Sequence, residues 1–361
     1  MPVNDGSGYK THSAAAPALW LRWFFLSAVV LLGAVGLFNW YIDPLGCRNK
    51  DGAFVDLLYD DAPEFVKARF DSERYDLALL GSSRLFRADP WFLDSLTGRY
   101  SMNLSVAGAS FSLNVKLLER IRQRGGAVLC GFDCFTLNKS REFYPEEAAK
   151  QARFDQVFDQ PAWADFMTIR LLNYATLRQS MREVYRHAKG KHSGATITAW
   201  DTTAYPMLED IIPTSFEADA QNKFSQFTMY PDSVLLHFAS LFEAGDKILI
   251  PAKYYRWYDY FDRYGIADQY FDAIALVVKH TKADVYSFYG RSAVTRDSSN
   301  FDENGWHYKP RIARRMLSQL YAEGDRLPPD ALGIGVKLTA QNVDGYLDSL
   351  RLEAQLNGLK H

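Results

Sequence analysis

Residues Trp23 to Tyr41 read WFFLSAVVLLGAVGLFNWY, 19 residues without a formal charge, and this stretch limits the chain more than any other. At about 1.5 Å per residue, a helix of that length matches the hydrocarbon core of a bilayer. Trp20 and Trp23 at one end and Trp40 and Tyr41 at the other suit the two interfacial belts, where amphipathic rings sit at headgroup level. A secretory signal peptide has a shorter apolar core and a small-residue cleavage site, and the bulky junction Asn39-Trp40-Tyr41-Ile42-Asp43 lacks one. The expectation is one uncleaved transmembrane helix, residues 23–41.

Flanking charges do not orient the span: Lys10 and Arg22 precede it, and Arg48 and Lys50 follow it among Asp43 and Asp51. The division of the chain is more telling, since about twenty small and polar residues precede the span and about 320 follow. The sequence therefore predicts a cytoplasmic tail at residues 1–22, a single pass through the inner (cytoplasmic) membrane and a large extracytoplasmic domain. With 48% apolar residues in a chain of 361, one large core is within reach. A net charge of -2 supplies no basic field, so nucleic acid is not an expected partner.

Beyond the span, Asp76–Leu80, Tyr100–Leu104 and Ala127–Phe132 are short apolar runs separated by helical segments such as Ser112–Arg124. Lys247–Pro251 and Asp284–Phe288 continue the pattern around a helix at Asp268–His280. Strands alternating with helices predict an α/β fold with a doubly wound, parallel central sheet between helical layers. Between about 139 and 245 the alternation gives way to amphipathic helices, one carrying Trp163, Phe166, Met167, Leu171 and Leu172, which reads as a helical insertion. A helix at Pro310–Ala322 and, after Pro328-Pro329, another at Asn342–Leu356 are expected, so 42–325 forms the main domain and 326–361 a C-terminal helical appendage.

Three cysteines make neither a disulfide framework nor a metal site. Cys130 and Cys134 read as small buried residues, while Cys47, just past the span, lies where lipidation is conceivable. His187 and His192 fall in a basic, glycine-containing loop with no metal-site spacing. No metal or other cofactor is expected.

The chemistry-bearing pattern starts at Gly81-Ser82-Ser83-Arg84, directly after the run Leu77–Leu80. A serine at the carboxyl end of a strand is exposed, and it can attack an ester when a neighbouring base takes its proton. Far downstream lies Asp302-Glu303-Asn304-Gly305-Trp306-His307, so the order serine, acid, histidine is that of α/β serine hydrolases. Among the histidines, His307 alone lies in a turn-rich loop just after the last expected strand. Arg84, beside the serine, either binds an anionic substrate group or caps the following turn. Tyr255 and Trp257, in the aromatic run Lys253–Tyr260 after a strand end, either stack on sugar rings or pack in the core. Trp306, next to the histidine, is grouped with them as a substrate-binding candidate.

Together these blocks resemble the SGNH hydrolase superfamily over roughly Asp76–Leu320. The likeness is strongest to its membrane-anchored bacterial branch near the D-alanylation protein of teichoic acids and the alginate O-acetylation proteins. The resemblance implies a flavodoxin-like three-layer sandwich. It also implies Ser83 as nucleophile, His307 as general base, and Asp302 as its orienting acid with Glu303 second. Asp302 stands five residues before the histidine, against the family's usual three, where this chain has Asn304. Asn103-Leu104-Ser105-Val106-Ala107-Gly108 matches the family's second block, so the Ser83 and Gly108 N–H groups are the implied oxyanion donors. In the third block, Gly131-Phe132-Asp133-Cys134, Asp133 stands where the family has a donor asparagine. An ionised carboxylate cannot donate, so Asp133 is protonated, or another group such as Asn138 donates, or its role is structural.

The expected function is a membrane-anchored SGNH-like serine acyltransferase or esterase acting on O-acyl, most simply acetyl, groups of an exported polysaccharide or cell-envelope polymer. The implied partners are that polymer, the membrane and a membrane-bound acyltransferase. The competing expectation is a non-catalytic glycan-binding or scaffold protein on a degenerate fold of the same kind.

Overall fold

Leu77–Leu80 is apolar at every position and buried on both faces, as an interior strand of a parallel sheet must be. The computed structural model describes residues 15–48, 62–72, 75–86, 88–161, 166–190, 224, 226–302, 305–321 and 335–358. Its elements in chain order are α1 (Ala15–Ile42), α2 (Pro63–Phe70), β1 (Leu77–Leu80), α3 (Ser83–Phe86), α4 (Pro90–Thr97), β2 (Ser101–Asn103), α5 (Phe111–Arg124), β3 (Ala127–Gly131) and α6 (Pro145–Phe158). A π-helical turn (Phe166–Leu171) follows, then α7 (Tyr174–Ala188), α8 (Asp232–Ser240), β4 (Lys247–Ile250), α9 (Arg256–Arg263), α10 (Ile266–His280), β5 (Asp284–Ser287), α11 (Ala293–Arg296), α12 (Pro310–Tyr321), β6 (Val336–Leu338) and α13 (Val343–Gly358).

The strand order is β2-β1-β3-β4-β5-β6, parallel throughout except for the antiparallel edge strand β6. The chain steps one way from β1 to β2 and the other way thereafter. Right-handed crossovers therefore send α4 to one face and the later crossover helices to the opposite one. On that second face the Phe111 ring of α5 meets Phe238 of α8 at 4.8 Å, and Phe132 lies 6.0 Å from Tyr270 of α10. α12 packs on α4 across the other face, with Arg314 bonded to the α4 cap residue Asp89 at 3.1 Å. The five parallel strands lie where the apolar runs place them, each shorter than its run by one to two residues.

The C-terminal segment adds more than the expected helix. Val336-Lys337-Leu338 pairs with β5 and extends the sheet, and α13 packs on α10 with Tyr346 Oη 2.9 Å from Ser287 Oγ of β5. The insertion also closes earlier than 245. Lys139 N donates to Thr228 O at 2.8 Å and Thr228 N to Asn138 Oδ1 at 3.2 Å, so α8 beyond this neck already belongs to the sheet's helical layer. Trp163 lies outside the described residues, as do 1–14 of the N-terminal tail.

One described helix segment, Leu19–Ile42, is long and apolar enough to cross a membrane: 24 residues with a mean hydropathy of 2.0. Its outward side chains, Val30 and Leu31 among them, are exposed and not packed into a core. Its C-terminal end is fastened to the insertion. Asn39 is buried; its Nδ2 donates to Leu171 O at 2.7 Å, and its Oδ1 accepts from Ser180 Oγ of α7 at 2.8 Å.

Candidate functional site

The carboxyl ends of parallel strands are where open α/β sheets collect functional loops, and the sheet reverses its winding between β1 and β3. Ser83 begins α3 just beyond β1, Gly108 follows β2, Asp133 follows β3, Lys253 follows β4, and the Asp302–His307 loop comes after β5. Val106 N donates to Gly81 O at 3.0 Å, drawing the β2 loop against the serine turn.

Ser83 Oγ lies 2.8 Å from His307 Nε2, and His307 Nδ1 lies 2.8 Å from Asp302 Oδ2. The other oxygen of Asp302 accepts from the His307 backbone N–H at 3.1 Å. The five-residue spacing works because the loop is a small hairpin. Phe301 and Tyr308 form an antiparallel bridge, Asp302 N donates to His307 O at 2.9 Å, and Lys309 N donates to Asn300 O at 2.8 Å. Gly305 N donates to Asp302 O at 2.9 Å; its φ is +64, and a β-carbon there would stand 2.8 Å from Tyr254 Cβ. From this hairpin the Tyr308 hydroxyl donates to Arg84 O at 2.9 Å, tying the histidine loop to the serine's own turn. Asp302 is buried, whereas Ser83 and His307 are partly open to solvent. A hydroxyl, an imidazole and a carboxylate bonded in series can remove the serine proton and hold the resulting imidazolium. Glu303 and Asn304 lie outside the described residues.

No family model, curated protein or solved structure matches this chain. The site is therefore read from its own geometry.

Asp133 is engaged with neighbouring donors. Its Oδ1 accepts from Lys253 Nζ at 2.7 Å and from Phe135 N at 3.1 Å, and its Oδ2 accepts from Ser82 Oγ at 3.2 Å and pairs with Arg84 Nη1. In every one of these contacts Asp133 supplies the accepting oxygen, the arrangement of a structural role. Arg84 is 2% exposed, with its guanidinium 4.2 Å from the centre of the Trp306 ring. One carboxylate thus serves two buried cations. Burial, reinforced by Arg84, pushes the Lys253 ammonium well below its usual range, and burial lowers Arg84 to about 10. At the insertion neck the side-chain oxygen of Asn138 accepts from Ser140 N and Thr228 N at 3.2 Å each.

The proposed stacking aromatics mostly belong to the core. Trp257 and Trp306 are buried and meet edge-on, with ring centres 4.0 Å apart. Tyr255 is half-buried, with its N–H bonded to Thr295 O at 3.0 Å. Asn103 of the second block is also structural, donating to Leu85 O at 3.0 Å and accepting from Ser105 N at 3.0 Å.

Gly108 adopts φ +67 at the head of the turn before α5. Neither its N–H nor that of Ser83 has a hydrogen-bond acceptor among the described residues. Two cations of the insertion reach this turn: Arg141 Nη2 donates to Gly108 O at 3.0 Å, and Lys150 Nζ donates to Ala107 O. Sequence reasoning missed both, because charges in an amphipathic insertion read as solvent-facing. Lys253 was visible at the head of its aromatic run but carried no signal for pairing with a residue 120 positions away.

Proposed function

We propose that this protein is a serine acyltransferase or esterase with an SGNH-type, flavodoxin-like three-layer domain, held at the inner membrane by one N-terminal span. Its substrate would be an O-acyl, most simply acetyl, group on an exported polysaccharide or envelope polymer. The observation that carries the reading is the continuous chain from Ser83 Oγ through His307 to Asp302, with both links at 2.8 Å. Nothing in a purely structural loop calls for a partly exposed serine bonded to an imidazole whose other nitrogen is bonded to a buried carboxylate.

In the first half-reaction Ser83 Oγ attacks the acyl carbonyl carbon while His307 Nε2 takes the hydroxyl proton. The negative charge on the former carbonyl oxygen falls to the Ser83 and Gly108 N–H groups, a contribution of about 3 kcal/mol per donor. Collapse breaks the ester bond, His307 returns the proton to the departing alcohol, and the acyl group remains on Ser83. In the second half-reaction His307 deprotonates the acceptor hydroxyl, which takes the acyl group and frees the serine. Water as acceptor gives an esterase; a polymer hydroxyl gives a transferase. The membrane-anchored resemblance, with a membrane-bound acyltransferase as the donor-side partner, favours the transferase.

The test is serine-directed fluorophosphonate labelling of the full-length protein in detergent, followed by mass spectrometry. Label on Ser83 that vanishes in His307→Ala is the expected result, and a folded protein that takes no label sinks the proposal. Asp133, standing in the place of a donor asparagine, favours the second reading, a glycan-binding scaffold. Polymer binding that persists in Ser83→Ala and His307→Ala, together with absence of label, would establish it.

A further inference from the structure

We infer that the helical insertion supplies two positioning residues to this site, Lys150 and Arg141, which aim the Gly108 N–H at the developing oxyanion. The inference rests on the acyl-transfer reading above and deepens it.

Two successive peptide units carry the argument. In a trans peptide the C=O and N–H point in opposite directions, so whatever grips the Ala107 oxygen also sets where the Gly108 N–H points. Lys150 Nζ grips that oxygen from α6. In the next unit Arg141 Nη2 holds Gly108 O at 3.0 Å, while Ala109 N donates to Val106 O at 3.0 Å. Of the four polar groups in these two units, three are thus held by the protein. The fourth, the Gly108 N–H, is the one left without an acceptor among the described residues.

The grip is set by packing. Arg141 is buried, bonded to Glu147, and lies with its guanidinium 3.7 Å from the centre of the Phe135 ring. Both cations flank the glycine, since a β-carbon at Gly108 would stand 3.7 Å from Arg141 Nη2 and 3.9 Å from Lys150 Nζ. A cation on an amide oxygen also draws electron density from the nitrogen, which makes the N–H on the far side a stronger donor. The two residues act through the Gly108 peptide without touching the reacting atoms.

The experiment follows the pre-steady-state burst of p-nitrophenolate from p-nitrophenyl acetate, using full-length protein in detergent. Lys150→Met should lower the acylation rate constant by about tenfold or more, a share of the loss seen when an oxyanion donor is removed outright. The substrate concentration for half-maximal rate and the unfolding midpoint should stay at wild-type values, and Lys150→Arg should restore most of the rate. A wild-type burst that Lys150→Met leaves unchanged overturns the inference while sparing the acyl-transfer reading. So does a loss that tracks a lowered unfolding midpoint and is not rescued by arginine. A wild-type protein that gives no burst and takes no fluorophosphonate overturns both.

Discussion

Asp302 and His307 face one another across a hairpin ladder, paired by the backbone bond from Asp302 N to His307 O at 2.9 Å and by the side-chain bond between His307 Nδ1 and Asp302 Oδ2 at 2.8 Å. The acid therefore orients the imidazole twice, through its main chain and through its carboxylate, and leaves Nε2 facing Ser83.

Asp302→Asn should keep this ladder, because the backbone bonds remain, but it removes the charge that stabilises an imidazolium and invites the wrong tautomer. The expected loss in the acylation rate of Ser83 is about 10³- to 10⁴-fold. Stopped-flow burst kinetics, with circular dichroism to check the fold, decide it; a loss below tenfold would remove Asp302 from the role.

Gly305→Ala tests the glycine of this hairpin. A left-handed conformation costs a residue with a β-carbon about 1–3 kcal/mol, and the added carbon would stand 2.8 Å from Tyr254 Cβ. Chemical denaturation should show a loss of at least that size, and fluorophosphonate labelling should slow as His307 leaves Ser83.

Asp133→Asn restores the residue type of the resembled family, yet it should damage this protein. Arg84 and Lys253 would lose the carboxylate they share inside the core, and breaking a buried pair in this way costs about 3–5 kcal/mol. An unfolding midpoint equal to wild type, with faster acylation, would show instead that position 133 serves the oxyanion.

Thiol chemistry provides a test independent of catalysis. All three cysteines are buried, and burial raises Cys47 and Cys134 to about 12 and pushes Cys130 up as well. The folded state thus favours the neutral thiol. That contribution to stability is complete below the free-thiol range near 8.5 and fades as pH climbs toward about 12. Iodoacetamide at pH 8 should modify the native protein slowly and the denatured protein at all three sites; rapid native modification of Cys134 would contradict the packing described.

How far the sequence reveals this molecule depends on the range of the interactions involved. The parallel strands announce themselves because strands buried on both faces are continuous apolar runs, and Ser83 follows from its place after the first of them. His307 and Asp302 were legible as a pair, although the hairpin that makes their spacing productive depends on bonds from Asn300 to Lys309 that no local pattern spells out. Edge strand β6 escaped notice, since two of its three residues are exposed and Lys337 breaks its apolar character. The Arg84–Asp133–Lys253 cluster was hidden for another reason: its members sit on three separate strand ends and meet only once the sheet is assembled.

If α1 is the proposed span, the bonds of Asn39 to Leu171 and Ser180 would make it a strut and not a tether. A leash would let the domain sample a hemisphere of positions above a bilayer, whereas a bolted support fixes both height and tilt. The fastening joins the helix to the same insertion whose α6 reaches Gly108, so leaning the strut leans the frame around the serine. On the proposed function, the serine would work at one altitude, and its substrate would have to be delivered there.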